Sequence, residues 1–420
     1  LPMILQNAIT NLVSFLDNIM VGQLGTEQMS GVAIVNQLIF VYNLAIFGAV
    51  SAASIFGAQY FGKGNHKGHM YSFRFKLYAT LLVTGGAILL FLTKGSALIS
   101  LYLTDTVGNG ATDLALQYGL EYLAIMMVGL IPFAVNQSYA TNIKETGQTF
   151  IPMLASFVAV GTNAILDYLM IFGIGPFPEL GVQGAALATV FAQALSVVFA
   201  IVRLVKKGLP FTITGYDFRW NPQCGKFLQI GLPLALQECL TQGSFLALCA
   251  FVNRLGLEAS SGYGVACKIV NFAMLIPSAL MQSTSSFVSQ NVGAGEQKRA
   301  KKTMFTGIGI GLLVGCFAFS LVFFRGDLLA GIFSADAAVV QRGYEYLKGF
   351  APETLLTAVL FSMMGYFNGN GKTVWVMLQG LIQTLLVRLP LAYFMSIQPD
   401  ANLTKIGLAA PVATVTGIIL

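Results

Sequence analysis

Apolar residues run along this chain in blocks of about 20 or more, the length of a membrane-crossing helix, separated by short connectors rich in glycine and basic residues. Read as spans, the blocks place helices near 1–22, 30–61, 77–103, 114–140, 150–173 and 181–204, and a second set near 227–252, 260–289, 303–324, 342–368, 373–396 and 405–420. The chain opens inside an apolar segment at Leu1-Pro2 and stops inside another at Leu420, so both ends are expected to be trimmed and the last helix truncated.

Composition strengthens this pattern. Of 420 residues, 56% are hydrophobic and 10% charged, against roughly 25% charged in soluble domains. So few polar groups cannot cover a water-facing surface of this size. The 45 glycines suit helices that pack in lipid by close backbone approach. Five scattered cysteines without a CxxC pair argue against a disulfide framework or zinc site, and His66 and His69 share one connector.

The net charge of +6 is explained by topology, without nucleic acid as a partner. Connectors after even-numbered spans hold fifteen bases: Lys63, Lys67, Arg74, Lys76, Lys144, Arg203, Lys206, Lys207, Arg219, Lys226, Lys298, Arg299, Lys301, Lys302 and Lys372. Odd-numbered connectors and their flanks hold five: Lys94, Arg254, Arg325, Arg342 and Lys405. The positive-inside rule then puts the even connectors and both termini in the cytoplasm, for a multi-pass protein of the plasma membrane.

The two sets of spans repeat. At an offset of 231 (233 − 2), Pro2 falls on Pro233, Gln6 on Gln237, Leu24-Gly25 on Leu255-Gly256, Glu27 on Glu258, Gly31 on Gly262, and Gln59, Gly62 and Gly64 on Gln290, Gly293 and Gly295. Further on the offset shortens to 224 (345 − 121), where Glu121-Tyr122-Leu123 meets Glu345-Tyr346-Leu347 and Gly147 meets Gly371. Six spans per repeat give both halves the same orientation. The expected fold is an all-α polytopic membrane protein, with twelve transmembrane helices in two parallel-repeat six-helix lobes around a central cavity. The N-terminal lobe covers 1–204, a cytoplasmic linker 205–226 and the C-terminal lobe 227–420. Such duplicated folds transport by rocking between two states.

Ionisable groups inside a span are expensive and mark function. Asp17 lies in the first span; Asn163 and Asp167, four residues apart, share one face of the fifth. Thr189 of the sixth span lies at similar depth, so four oxygen-bearing side chains from three helices are expected at one level. Two carboxylates there must either share a proton or bind a hard cation such as Na⁺. The alternative is that each merely satisfies donors in the bundle.

The motif LDNIMVGQLG after a first-span proline, the NxxxD of the fifth span, LGVQGAALAT in the sixth and YATNIKETGQTFIPM before the fifth resemble the multidrug and toxic compound extrusion family, most of all its DinF-like bacterial branch. The resemblance implies a two-lobed, twelve-helix antiporter that expels cationic or amphipathic compounds in exchange for Na⁺ or H⁺. It carries the N-lobe coupling site onto Asp17, Asn163, Asp167 and Thr189, which would ligate the metal if Na⁺ is the ion, with Tyr122 as a neighbour. No cofactor beyond the coupling ion is implied, and the reading is of a monomer among membrane lipids with small-molecule substrates.

The chain departs from the family pattern at Glu238, one turn nearer Pro233 than the ion-binding glutamate of some branches. Glu238, Lys268, Glu353 and Arg388 are charge candidates in the second half, either paired structurally or lining a cavity. Pro2 and Pro233 are candidate helix bends, static or coupled to protonation. The rival reading is a lipid-linked precursor flippase of the same superfamily, which calls for a cationic cavity that the N-lobe acids oppose. A major facilitator lacks support, since FGKGNHKGHM holds no acid. No nucleophile–base pair or phosphate loop points to an enzyme.

Overall fold

The computed structural model describes residues 2–3, 5–6, 9–10, 17, 20–103, 109–207, 223–334 and 336–420, and the regular elements among them are helices. Helical positions between Pro2 and Gly22 precede α1 (Thr26–Gly62), α2 (His66–Ser100), α3 (Asn109–Glu145), α4 (Phe150–Ile171), α5 (Val182–Lys207), α6 (Gln223–Asn253) and α7 (Leu257–Gly293). Then come α8 (Gln297–Gly331), α9 (Ala337–Phe350), α10 (Glu353–Gly369), α11 (Thr373–Leu381), a π-helical segment (Ile382–Arg388), α12 (Leu389–Ser396) and α13 (Leu403–Ile419). Among the described residues nine helices are long and apolar enough to cross a membrane, or ten if α9 and α10, bent by 48° at their junction, form one span. Pro352 sits at that junction, where its missing N–H breaks the hydrogen-bond ladder. Most of the expected linker, 205–226, lies outside the described residues.

The helices outrun the apolar blocks. A 37-residue helix such as α1 or α7 is about 55 Å long, well beyond the ~30 Å hydrocarbon core. Residues 66–76, expected in a connector, form the first turns of α2 instead. Asn65 caps them by accepting a hydrogen bond from the Gly68 amide at 3.0 Å. The reversal between α1 and α2 needs the left-handed φ of +71° at Gly64, and its repeat mate Gly295 has φ +79° between α7 and α8.

The residues group into two compact units, 1–57 with 65–225, and 58–64 with 226–420. In the first, α3 packs against α2 and α5, and α4 against α5, around Val35, Tyr42, Ile99, Leu123 and Ile171. In the second, α7 packs against α8, α9 and α10, and α13 against α9 and α10, around Leu248, Ala266, Tyr346, Leu347 and Ile406. The repeat reappears in packing detail. A Cβ on Gly31 would lie 2.8 Å from the Gly119 nitrogen, and one on Gly262 would lie 2.8 Å from the Gly343 nitrogen. Both glycine pairs are repeat mates, so each unit uses the same backbone approach between the same two helices.

Candidate functional site

Asp167 and Asn163 lie one turn apart on α4, and both are buried. Gly184 lets α5 approach the end of α4 closely, since a Cβ there would stand 2.6 Å from the Met170 carbonyl. That approach brings Thr189 of α5 to Asn163, whose Nδ2 donates to Thr189 Oγ1 at 3.3 Å. The Thr189 hydroxyl in turn donates to the Ala185 carbonyl at 3.0 Å.

Asp17, from the helical stretch before α1, turns its carboxyl to that of Asp167, beside the Asn163 amide. Tyr122 of α3 is buried within electrostatic reach of both acids, and its hydroxyl makes a long 3.5 Å contact to Asn36 Oδ1. All five residues expected at the coupling site therefore come together in the first unit. Asn36 extends the group, a residue that the sequence offered only as one of many polar amides.

The electrostatics of this cluster are unbalanced. Both Asp167 oxygens and Asp17 Oδ1 are buried without a partner in strict hydrogen-bond geometry, although the two carboxyls face each other. Two such groups in a water-poor setting cannot both keep their charge without a compensating cation or proton. The donors are carboxylate, amide and hydroxyl oxygens, a hard set that suits a proton or alkali cation better than a soft metal. Among the described residues no group of three or more His, Cys, Asp and Glu is assembled.

A second polar cluster was missed by sequence reasoning. Lys76 of α2 and Glu145 of α3 form a direct ion pair with almost no exposure. His69 Nδ1 lies 3.0 Å from the Gly57 carbonyl and 3.9 Å from Glu145 Oε2. Gly57 leaves the space, for a Cβ there would fall 2.1 Å from Glu145 Oε2. The sequence pattern places Lys76 among the connector bases; the signal for the pair is Glu145, an acid five residues (145 − 140) past the fourth apolar block.

Among the described residues the second-half charges form no direct ion pair with one another. Glu238 of α6 accepts from Gln242 at 3.0 Å, and Lys268 is exposed, with its ammonium 5.7 Å from the Phe333 ring centroid. Buried Glu353 accepts from Thr414 at 2.8 Å while its Oε2 has no partner. Arg388 closes the π-helical segment with its guanidinium 4.5 Å from the Phe245 ring centroid. The four charges stand on α6, α7, α10 and the π segment, and of them Glu353 and Arg388 lie within electrostatic reach of each other. Pro2 is in a helical position and Pro233 lies inside α6.

Known proteins resemble this chain along most of its length. The MatE family model matches residues 2–169 and 233–394, the two repeats in turn. A protein of Shewanella oneidensis named "FAD transporter" is 26% identical over 330 residues, which is 78% of this chain and 71% of the relative. The "Probable multidrug resistance protein NorM" of Thermotoga maritima is 24% identical over 404 residues, 94% of this chain and 84% of the relative. A solved structure described as the outward-facing conformation of a multidrug resistance MATE family transporter of the MOP superfamily superposes with a TM-score of 0.90 at 19% identity, covering 100% of this chain and 91% of that one. The fold is thus the all-α, twelve-helix, two-lobed fold of those transporters.

Proposed function

Because the chain belongs to the MatE family and is a multi-pass membrane transporter rather than an enzyme, we propose that it exports small molecules by alternating access, driven by an inward flow of H⁺ or Na⁺. The observation that carries this reading is the Asp17–Asp167 cluster, two carboxyls turned to each other beside the Asn163 amide with no basic group among them. An ion can drive a conformational change only through different affinities for the two states. Asp17 and Asp167 supply a site whose charge changes on occupancy, and Asn163 and Thr189 supply neutral oxygens around it. Tyr122 contributes a hydroxyl at its edge. The site needs no cofactor beyond the coupling ion.

We read the substrates as cationic or amphipathic compounds; the Thermotoga relative is named a probable multidrug resistance protein. The relative named FAD transporter adds a second class, an anionic dinucleotide. Arg388 over the Phe245 ring offers the cation and aromatic surface such a molecule would meet. Both termini and the 205–226 linker are read as cytoplasmic from the distribution of bases.

The test is efflux of a cationic dye and of FAD from proteoliposomes under an imposed pH or Na⁺ gradient. Asp17→Asn and Asp167→Asn keep size and hydrogen bonding but remove the charge, so each should abolish gradient-driven export and leave the melting curve nearly unchanged. Wild-type export by both variants, with Glu353→Gln inactive, would move coupling to the second unit and refute the assignment.

A further inference from the structure

The turn Ala294–Glu296 joins α7 to α8 at the end of the second unit where basic residues concentrate: Lys298, Arg299, Lys301 and Lys302 follow one acid, Glu296. Beside this turn a groove of about 410 Å³ opens between the two helices, within the ~300–1,000 Å³ range of ligand sites. Its walls are of two kinds. Arg299, Lys302 and Asn291 line the end nearest the turn, whereas Leu280, Phe287 and Ile310 line the part that runs into the bundle.

Arg299 and Lys302 are three residues apart, so both project from one face of α8 toward the groove. Both are exposed, and among the described residues neither belongs to an ion pair. Below them the groove has a floor because Gly307 lacks a side chain. Thr284 Oγ1 and Ser362 Oγ close in to 3.0 and 3.2 Å of where its Cβ would stand. On both sides of the floor the outward face of α8 is apolar, with Phe305, Ile310 and Leu313 exposed to the lipid that must surround it. Phe287, on the α7 side, is likewise exposed.

We propose that this groove is a binding site for an anionic phospholipid. Its phosphate would sit between Arg299 and Lys302, its remaining headgroup polar atoms against Asn291, and an acyl chain along Phe287 and Ile310. The argument is one of complementarity at two levels. Two unpaired cations at the depth of the headgroups attract a negative charge. The apolar wall directly beneath continues in the direction a lipid tail must take. A soluble anion would use the first feature and leave the second exposed. A neutral lipid would use the second and leave two cations without a counterion.

The experiment is a lipid titration of the full detergent-solubilised chain, followed by native mass spectrometry and by melting temperature. Phosphatidylglycerol, phosphatidylcholine of the same acyl chains and free sn-glycerol 3-phosphate are compared. Phosphatidylglycerol should bind at least tenfold more tightly than phosphatidylcholine and raise the melting temperature, while glycerol 3-phosphate should do neither. Removing both cations in Arg299→Gln/Lys302→Gln should weaken phosphatidylglycerol about 30-fold, from a contribution of about fivefold per base. The same loss of charge in Lys298→Gln/Lys301→Gln, on the same turn but outside the groove, should leave most of the affinity in place. Equal losses in the two double variants would show diffuse attraction and overturn the site. So would equal binding of phosphatidylcholine, or full stabilisation by glycerol 3-phosphate. The three wild-type arms decide the question even if a variant fails to fold.

Discussion

Helix crossings in this chain are set by missing side chains, and Gly349 offers the sharpest test. On α9 it faces α13, where a Cβ would lie 2.0 Å from the Thr404 carbonyl oxygen, a backbone atom that cannot rotate away. Real Cβ contacts are essentially never shorter than 3.0 Å, so Gly349→Ala must open this contact by at least 1.0 Å (3.0 − 2.0). The neighbours that lose contact include Leu347, Leu403 and Ile406, each about 1% exposed or less. A gap of 0.5–1 Å already forfeits about a quarter to a half of each dispersion contact, and overpacking costs about 1–3 kcal/mol. We take about 3 kcal/mol as the loss. Alanine's better helix propensity returns about 1 kcal/mol. The net, about 2 kcal/mol, is a roughly 30-fold fall in the folded-to-unfolded ratio. The control is Gly309→Ala on α8, where a Cβ meets nothing within 4 Å, and which should stabilise by up to about 1 kcal/mol. Unfolding in dodecyl maltoside micelles with rising SDS, followed by circular dichroism, measures both. A Gly349→Ala variant within 0.5 kcal/mol of wild type, on the order of an ordinary surface change, would refute the close crossing.

Other expectations follow from the buried charges and from topology. Lys76→Met or Glu145→Leu alone should cost about 3–5 kcal/mol in the same unfolding assay, because each strands its partner's charge. The double variant Lys76→Met/Glu145→Leu should recover most of that loss. Asn163→Ala should weaken the coupling-ion dependence of export more than Thr189→Ala does, since the Asn163 amide stands beside Asp167 and the Thr189 hydroxyl acts through it; this is read from the half-saturating Na⁺ concentration or pH of transport. Lys206→Cys in a cysteine-free chain should react with impermeant maleimide only from the cytoplasmic side, and labelling from outside would invert the topology.

The sequence displayed the helices clearly and their ends poorly. Apolar blocks report where hydrocarbon surrounds a helix, and α1, α2, α7 and α8 continue past that boundary in residues whose polarity resembles a connector. Lys76 shows the cost of this blind spot: its charge read as a topology signal, yet its ammonium is buried against Glu145. Glycine spacing was far more informative, because Gly31, Gly64 and their repeat mates answer to backbone geometry that no other residue satisfies. At the Asp17–Asp167 cluster, helical spacing and depth pointed to four oxygen-bearing side chains that the structure sets beside one another. Asn36 could not be selected, since an amide's partner depends on how α1 is rotated against α3. For the second-half charges, composition suggested two acids balancing two bases; Glu353 and Arg388 lie within electrostatic reach of each other, whereas Glu238 accepts from Gln242 and Lys268 lies over Phe333, partners that depend on helix rotation and not on charge count.

The Lys76–Glu145 pair also bears on how the chain is made. Lys76 precedes Glu145 by 69 residues, so at about 5–20 residues per second of synthesis the lysine waits about 3–14 s for its partner. During that interval α2 holds, ten residues after its first residue His66, a cation without the carboxylate it is buried against. A long side chain can reach back to the headgroups in the meantime. Glu145 is the last residue of α3, so neutralisation comes only when that helix has been delivered in full. Until then the close fit of α2 against α3 at this point waits for one carboxylate.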